Sequence, residues 1–430
     1  MNLPNPVIVV PGITATYLQD QYPLPPENIW TVLKKNYERL TLHPDNLNYE
    51  VNEPSRVVPD QLFEVAYRAL IEELRFNLSP NPDSPVPVFP FGYDWRQPLE
   101  ETERELAGFV DEVMERTKLL RHYHKAGFSK NPRVSLIGHS MGGLVITGYL
   151  ARYGQEAAAD KVVTLATPYR GSFEAVIQVV TGTANLGTGE PASRDREAAR
   201  LTPALYHLLP AFKNGLVPPQ LPVDALFDPT QWQPSIVATL AQYIRRKGLP
   251  GDPPKQRAKA LFNDLLGQAK THRARIRRFR PAAAGMDLHD WLVVIGADAT
   301  TRVRLEVKKV AGKPQFRLHS LDRENQWDSA DPAERRMTGD GTVPFEGALP
   351  PFLPEDHLVC VTPDDYGYWE LQDKTLTKLA GFHGILPNMN MLHRMIARFL
   401  AETPDTYGNT WGRRVPGVAT WSPPLKLREK

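Results

Sequence analysis

The sequence predicts an α/β fold: a mostly parallel central sheet, helices on both faces, and a large helical insertion between the two halves of the sheet. Three observations predict it. The runs Val7-Ile8-Val9-Val10, Val134-Ser135-Leu136-Ile137 and Trp291-Leu292-Val293-Val294-Ile295 have the near-continuous apolar character of parallel strands buried on both faces. The second run passes at once through a glycine-rich turn into the helical Gly143-Leu144-Val145-Ile146-Thr147-Gly148-Tyr149-Leu150. The stretch 173–288 is rich in helical patterning, with proline breaks at 217–222 and 250–254.

In chain order, the first strand, Val7 to Val10, ends at Pro11-Gly12. A helix is expected near 60–76, a proline-punctuated strand over Val86 to Phe91, and a second helix near 99–121. The strand at 134–137 and its helix follow. After the insertion the chain returns to strands with Trp291 to Asp298. Val303 to Leu318 alternates like a β-hairpin around Gly312. Leu358-Val359-Cys360-Val361 reads as a buried strand. The last helix, Met389 to Leu400, carries Leu392, Met395, Ile396 and Phe399 at helical spacing. The resulting division is a first half of the core over 1–172, a helical cap or lid over 173–288, a second half of the core with the hairpin insertion over 289–400, and a tail over 401–430. That tail, rich in Pro, Gly and Trp, either wraps the surface or stays mobile.

Residues 138–142 read Gly138-His139-Ser140-Met141-Gly142, a Gly-x-Ser-x-Gly between a strand and a helix. On such a sharp turn the serine hydroxyl points out of the sheet. Gly138 and Gly142 remove the Cβ atoms that would clash, and the helix N-terminus faces a developing oxyanion. Ser140 is therefore a candidate nucleophile, and the fold is specified further as α/β-hydrolase.

A serine needs a base within reach and an acid to orient that base, and this fold orders them Ser, then acid, then His. The candidate acid is Asp340 in Thr338-Gly339-Asp340-Gly341-Thr342-Val343-Pro344, with Asp298 as nearest rival. The candidate base is His383 in Gly381-Phe382-His383-Gly384, on a loop just before the last helix. His139 reads as packing in the elbow, His393 as a helix residue, and His357 as a weaker rival at a strand start. The oxyanion hole needs two backbone N–H donors. Met141 follows the nucleophile, and Ile13 follows the first strand; the alternative is that Pro11-Gly12 is an ordinary strand end.

Five blocks together resemble the lecithin:cholesterol acyltransferase-like lipase and phospholipase family. They are Val9-Val10-Pro11-Gly12, Gly92-Tyr93-Asp94-Trp95-Arg96, the serine elbow, Leu165-Ala166-Thr167-Pro168-Tyr169-Arg170-Gly171-Ser172, and Gly339-Asp340-Gly341-Thr342-Val343-Pro344. They lie in the family's order from residue 7 to about 400, except for the middle over 173–288 and the tail. The resemblance implies a catalytic triad of Ser140, Asp340 and His383, an oxyanion hole at Ile13 and Met141, and chemistry on lipid acyl esters. Animal acyltransferases of the family carry a second histidine four residues after the first, where this chain has Pro387, so the layout is that of a simpler bacterial lipase. Asp94 and Arg96 suit a bidentate ion pair holding a loop near the site, a supporting role.

Composition bounds the rest. A chain of 430 residues exceeds one simple core, and 41 prolines imply many rigid loops. A net charge of +2 gives no argument for nucleic acid. The single cysteine, Cys360, excludes an intramolecular disulfide and favours a reducing compartment. No signal peptide or membrane span is apparent, so the expected location is cytoplasmic or peripheral to a membrane, with signal-free secretion left open. No cofactor and no metal are expected; His122-x-His124 is too isolated to make a zinc site.

Between Arg245 and Arg280 twelve lysines and arginines face only Asp252 and Asp264, around an apolar stripe of Leu261, Phe262, Leu265 and Leu266. One reading is a cationic amphipathic helix for an anionic membrane surface; the other is a lid helix packed on the core with a solvated charged face. The leading function is a serine-dependent lipid acyl-ester hydrolase of the lipase or phospholipase A type. The alternatives are acyl transfer to an alcohol, a membrane-targeting toxin or defence phospholipase, and a non-catalytic hydrolase-fold binding protein. The partner expected is a lipid ester, and protein partners stay open.

Overall fold

The computed structural model describes residues 3–43, 56–182, 193–248, 251–317, 322–323, 327–367, 370 and 381–430, apart from residues 23 and 32. Strands β1 (Val7–Val10), β2 (Val88–Pro90), β3 (Val134–His139), β4 (Ala159–Leu165), β5 (Trp291–Gly296) and β6 (Val359–Val361) form one sheet. Its order is β6-β5-β4-β3-β1-β2, and every neighbouring pair is parallel. Val9 stands opposite Ile137, Ile137 opposite Val163, and Val163 opposite Leu292, so one apolar row crosses four strands.

The helices that position the site are α1 (Glu64–Leu78), α2 (Leu99–Lys118), α3 (Met141–Tyr153), α4 (Phe173–Thr181), α5 (Ser193–Arg200), α6 (Ser235–Arg246), α7 (Pro254–Arg278) and α8 (Asn390–Ala401). Alternation along each strand divides the sheet between two cores. Ile8, Val10, Leu136, Val162, Val293 and Ile295 join the core under α2 and α3. Val7, Val9, Ile137, Val163, Leu292 and Val294 join the core under α1 and α8. Each helix buries a stripe at helical spacing, as in Tyr67, Leu70 and Leu74 of α1 or Leu392, Met395 and Ile396 of α8.

The helix expected near 60–76 begins later, at Glu64. Val57–Leu62 is instead an edge strand, antiparallel to Thr16–Asp20, which also pairs with Glu27–Trp30. β-Branched Val57 and Val58 favour extended chain, and Pro59, which lacks a backbone donor, is tolerated at an edge.

Between β4 and β5 the described chain is mainly helical. Helix α7 packs on α6 and α3 and buries Ala258, Phe262, Leu265, Leu266, Ala269 and Ile276. The apolar stripe therefore faces inward, and part of the positive charge nearby is paired, although of the lysines and arginines over 245–280 only Arg273 is buried. Arg273 is buried and donates to the carbonyls of Tyr169, His207 and Leu209. Arg246 pairs with Glu197, and Lys270 with Asp224 at 2.9 Å. Arg275 and Arg152 meet on buried Glu103 of α2, which also bonds His272 at 2.9 Å.

The hairpin forms from Leu305–Val310 and Lys313–Arg317, closed by Ala311 and Gly312 at φ 49° and 74°. Positive φ at both central residues matches the right-handed strand twist. Leu318 lies outside the described residues, as does Pro250 of the proline break. The hairpin also pairs in parallel with Leu216–Val217 of the insertion. The tail docks on the core. Arg413 exchanges two backbone bonds with Cys360, at 2.8 and 3.0 Å, covering the exposed edge of β6. Asp365, its side chain fully buried, then accepts from Arg413, from Trp411 Nε1 and from Lys430. Among the described residues no helix is long and apolar enough to cross a membrane.

Candidate active site

Strand β3 ends at His139 and α3 begins at Met141, leaving Ser140 alone on the turn with φ 53° and ψ −126°. A non-glycine residue rarely adopts such a conformation, at a cost of about 1–3 kcal/mol. Here it is held by Ser140 N donating to Leu165 O at 2.8 Å and by Gly143 N donating to Ser140 O. The flanking glycines are demanded by close approach. A Cβ on Gly142 would sit 2.2 Å from Val10 O, and one on Gly138 would sit 2.6 Å from Gly143 N.

The three residues separated by up to 243 positions meet here. Ser140 Oγ lies 2.9 Å from His383 Nε2, and His383 Nδ1 lies 2.7 Å from Asp340 Oδ2. The other oxygen, Asp340 Oδ1, accepts from Thr342 N at 2.9 Å and Val343 N at 2.7 Å, so the loop itself aims the carboxylate. His383 N also donates to Asp340 O at 2.9 Å. All three side chains are buried or nearly so. His383 does not stand on an open loop: residues 381–385 are helical and run through Leu386–Asn388 into α8. Gly381, at φ 76°, opens this turn, and Gly384 lies within it.

The rivals stand elsewhere. Asp298 occupies a left-handed turn after β5, with its N–H on Thr338 and its carboxylate on Trp327 N. His357 stacks on His289 and contacts Asp356. His393 is buried in α8 on the Pro387 carbonyl, and His122 bonds Pro85 O. Burial pushes the Cys360 thiol up, and it contacts no part of the site. Among the described residues no three His, Cys, Asp or Glu side chains are grouped to hold a metal ion.

The backbone at Gly12 touches the serine. A Cβ there would lie 3.0 Å from Ser140 Cβ and 3.4 Å from Oγ. Met141 follows Ser140 directly and opens α3, and Ile13 follows Gly12, whose backbone packs against Ser140. The Gly92-to-Arg96 block braces this loop. Tyr93 donates to Pro11 O at 2.8 Å, and Trp95 Nε1 to Thr16 O at 3.1 Å. Asp94 and Arg96 form a buried two-bond pair, Nε to Oδ1 and Nη2 to Oδ2, each 2.8 Å. Burial pushes the Asp94 carboxyl up, but the Arg96 guanidinium and the bonds from Arg96 and Gln97 outweigh it and hold it below its ordinary value. Arg96 Nη1 also reaches the Leu40 carbonyl at 3.3 Å.

Leu40 is part of the wall of a half-open cleft that starts at Ile13 and Thr14. Trp30 and Trp95 line one side; Ala199 and Leu205 from the insertion line the other. Sequence reading passed over this cleft's aromatic wall, and it passed over Tyr67, which looks like any other stripe position of α1 but whose hydroxyl bonds both Gly12 N and His139.

The lecithin:cholesterol acyltransferase family matches this chain over residues 83–240. That span holds the Tyr93-to-Arg96 block and the elbow, runs well into the insertion, and stops short of Asp340 and His383. No curated protein sequence matches the chain. Among solved structures, a chain of the Tle4–Tli4 complex superimposes with a TM-score of 0.60 at 15% identity, covering 94% of this chain and 98% of that one. Phospholipase PlaB from Legionella pneumophila gives a TM-score of 0.30 at 10% identity, covering 68% of this chain and 39% of that one. The family match covers less than half of the chain, and the superposition at 15% identity shows a shared fold: the α/β-hydrolase arrangement of a parallel sheet with a strained serine turn between strand and helix.

Proposed function

We propose that the chain is a serine-dependent lipid acyl-ester hydrolase of the lipase or phospholipase A type, working through an acyl-enzyme on Ser140. The observation that carries this reading is the hydrogen-bonded line from Asp340 through His383 to Ser140 on the elbow. His383 Nε2 takes the Ser140 proton as Oγ attacks the ester carbonyl. Asp340 holds the proton on Nδ1 and stabilises the imidazolium. The carbonyl oxygen gathers negative charge toward the backbone N–H of Met141 at the start of α3 and that of Ile13 in the loop after β1. His383 then protonates the leaving alcohol, and water repeats the sequence to release the fatty acid. The apolar cleft beside Ile13 suits an acyl chain.

The family's name favours a second outcome, transfer of the acyl group to an alcohol, which uses the same residues and differs only in the acceptor. Contact with lipid is peripheral. Lys255, Lys259, Arg277 and Arg278 are exposed and offer charge to an anionic surface, while the apolar side of α7 stays inside. The test is release of fatty acid and lysolipid from mixed phospholipid and triacylglycerol vesicles by wild type and Ser140→Ala. Serine-dependent lysolipid supports a phospholipase, and fatty acid without lysolipid supports a neutral-lipid esterase. Ester turnover undiminished in Ser140→Ala overturns the reading.

A further inference from the structure

A buried hydrogen-bonded chain runs behind the nucleophile, and the reaction just described does not use it. Gly12 N donates to Tyr67 Oη at 3.0 Å. Tyr67 Oη lies 2.7 Å from His139 Nδ1, and His139 Nε2 lies 3.0 Å from the carbonyl oxygen of His383. Tyr67 and His139 are 1% and 4% exposed, so water does not substitute for these bonds.

The directions are fixed by the ends. A carbonyl only accepts, so His139 Nε2 carries a proton and donates to His383 O. Tyr67 Oη accepts from Gly12 N, so its own proton is free to go to His139 Nδ1. Every donor and acceptor is then satisfied only when His139 is neutral. Burial holds the His139 imidazole well below its ordinary range, and the neighbouring His383, its ring 5.0 Å away, pushes the same way.

We propose that Tyr67 and His139 are positioning residues for the hydrolytic site, tying the oxyanion loop at Gly12-Ile13 to the backbone of His383 so that both stay in register with Ser140. This rests on the triad reading given under the proposed function. The two tethered segments lie about 370 residues apart in sequence and on different elements; within this chain α1 supplies the tyrosine and the elbow supplies the histidine that join them. A neutral His139 has a second consequence. It adds no positive charge beside His383 when that ring becomes an imidazolium.

Two substitutions cut the same link while keeping shape. Tyr67→Phe removes only the hydroxyl. His139→Leu keeps an apolar side chain of similar bulk and removes both ring nitrogens, the acceptor that Tyr67 donates to and the donor to the His383 carbonyl. Rates of fluorophosphonate labelling at Ser140, kcat and KM on a short-chain ester, and melting temperatures are measured for wild type, both single variants and the double variant. The expected result is a 10- to 100-fold fall in kcat and in labelling rate for each single variant, KM within twofold of wild type, and a double variant no slower than the worse single one. A role in packing alone would leave the Tyr67→Phe rates at wild type, because the ring remains; that result, or independent multiplying losses in the double variant, overturns the proposal. Wild type that labels at Ser140 while Tyr67→Phe labels equally fast refutes this inference alone. Wild type that does not label at all refutes the triad reading and this inference with it. If Tyr67→Phe melts far below wild type, His139→Leu carries the same test.

Discussion

Replacing Asp340 by Asn removes a charge and almost no volume, and the structure dictates how the amide must sit. Asp340 Oδ1 accepts from two backbone N–H groups, of Thr342 and Val343, while Oδ2 faces His383 Nδ1 at 2.7 Å. The two donors require an oxygen at the first position, so the amide NH₂ turns toward the imidazole. A neutral ring that meets a donor at Nδ1 carries its proton on Nε2. That nitrogen, 2.9 Å from Ser140 Oγ, is then a donor and cannot accept the serine proton. A wrong tautomer with intact geometry costs about 10⁴ in kcat, or about 5 kcal/mol in transition-state stabilisation. The loop keeps its two backbone bonds, so the thermal midpoint stays near that of wild type. The assay is kcat on a soluble ester at neutral pH, together with fluorophosphonate labelling of Ser140. An Asp340→Asn enzyme that keeps its fold and works within tenfold of wild type would refute the assignment of Asp340 as the orienting acid.

Two further outcomes test the scaffold around the site. Glu103→Gln leaves Arg152 and Arg275 without their carboxylate in a buried position, and should destabilise the fold by about 3 kcal/mol. Thermal and denaturant unfolding read this directly, and an unchanged midpoint would mean that the cluster does not bind α7 to α2. Acid should loosen the tail and the loop behind the site. Burial alone would push the Asp94 and Asp365 carboxyls up, but Arg96 on one and the Thr362 backbone with Arg413 and Lys430 on the other hold both below the ordinary value. Unfolded, each titrates near ~3.9. The unfolded chain therefore binds more protons, so their contribution is complete above that value and is lost as pH falls through the lower folded values. Melting curves from pH 5 downward should show falling midpoints, with a shallower fall in Asp365→Asn; equal slopes in the two proteins would contradict this.

What was legible in the sequence was local. Val7–Val10, Val134–His139 and Trp291–Gly296 are strands because continuous apolar, largely β-branched runs are buried on both faces of the sheet, and Gly138 and Gly142 mark the turn because carbonyl and amide groups pass too close for a Cβ. What was not legible depends on contacts far apart in the chain. Tyr67 is one more stripe residue until the fold sets it under Gly12 and His139. The antiparallel strands at Thr16–Asp20 and Val57–Leu62 are short; the first turns polar Thr16 and Asp20 inward and the second is largely exposed, so neither carries a clear apolar alternation. The basic stretch 245–280 keeps most of its charge at the surface, as a lid helix with a solvated face would, but Arg273 spends its guanidinium on three buried carbonyls and Arg275 pairs with Glu103. Composition measures charge; it does not measure how much of that charge reaches the surface.

The bonds that hold the strained serine divide the molecule's dependence in two. Ser140 keeps its positive φ through Leu165 O on β4, through Gly143 N of α3 and through close packing of Gly142 on Val10 O of β1, all at the junction of the central sheet and the first turn of α3. The bonds described for α7 run away from the elbow, to α2, to the carbonyls of Tyr169, His207 and Leu209, and to Asp224. Loosening α7 should therefore change stability and access to the cleft without releasing the serine. The same Glu103→Gln protein that melts earlier should label at Ser140 at close to the wild-type rate below its melting range, whereas a Cβ at Gly142, 2.2 Å from Val10 O, pushes on the elbow itself and should abolish labelling before it unfolds the chain. If instead both variants lose labelling in proportion to their loss of stability, the elbow is not held by the sheet and α3 alone, and the strain at Ser140 is shared with the insertion.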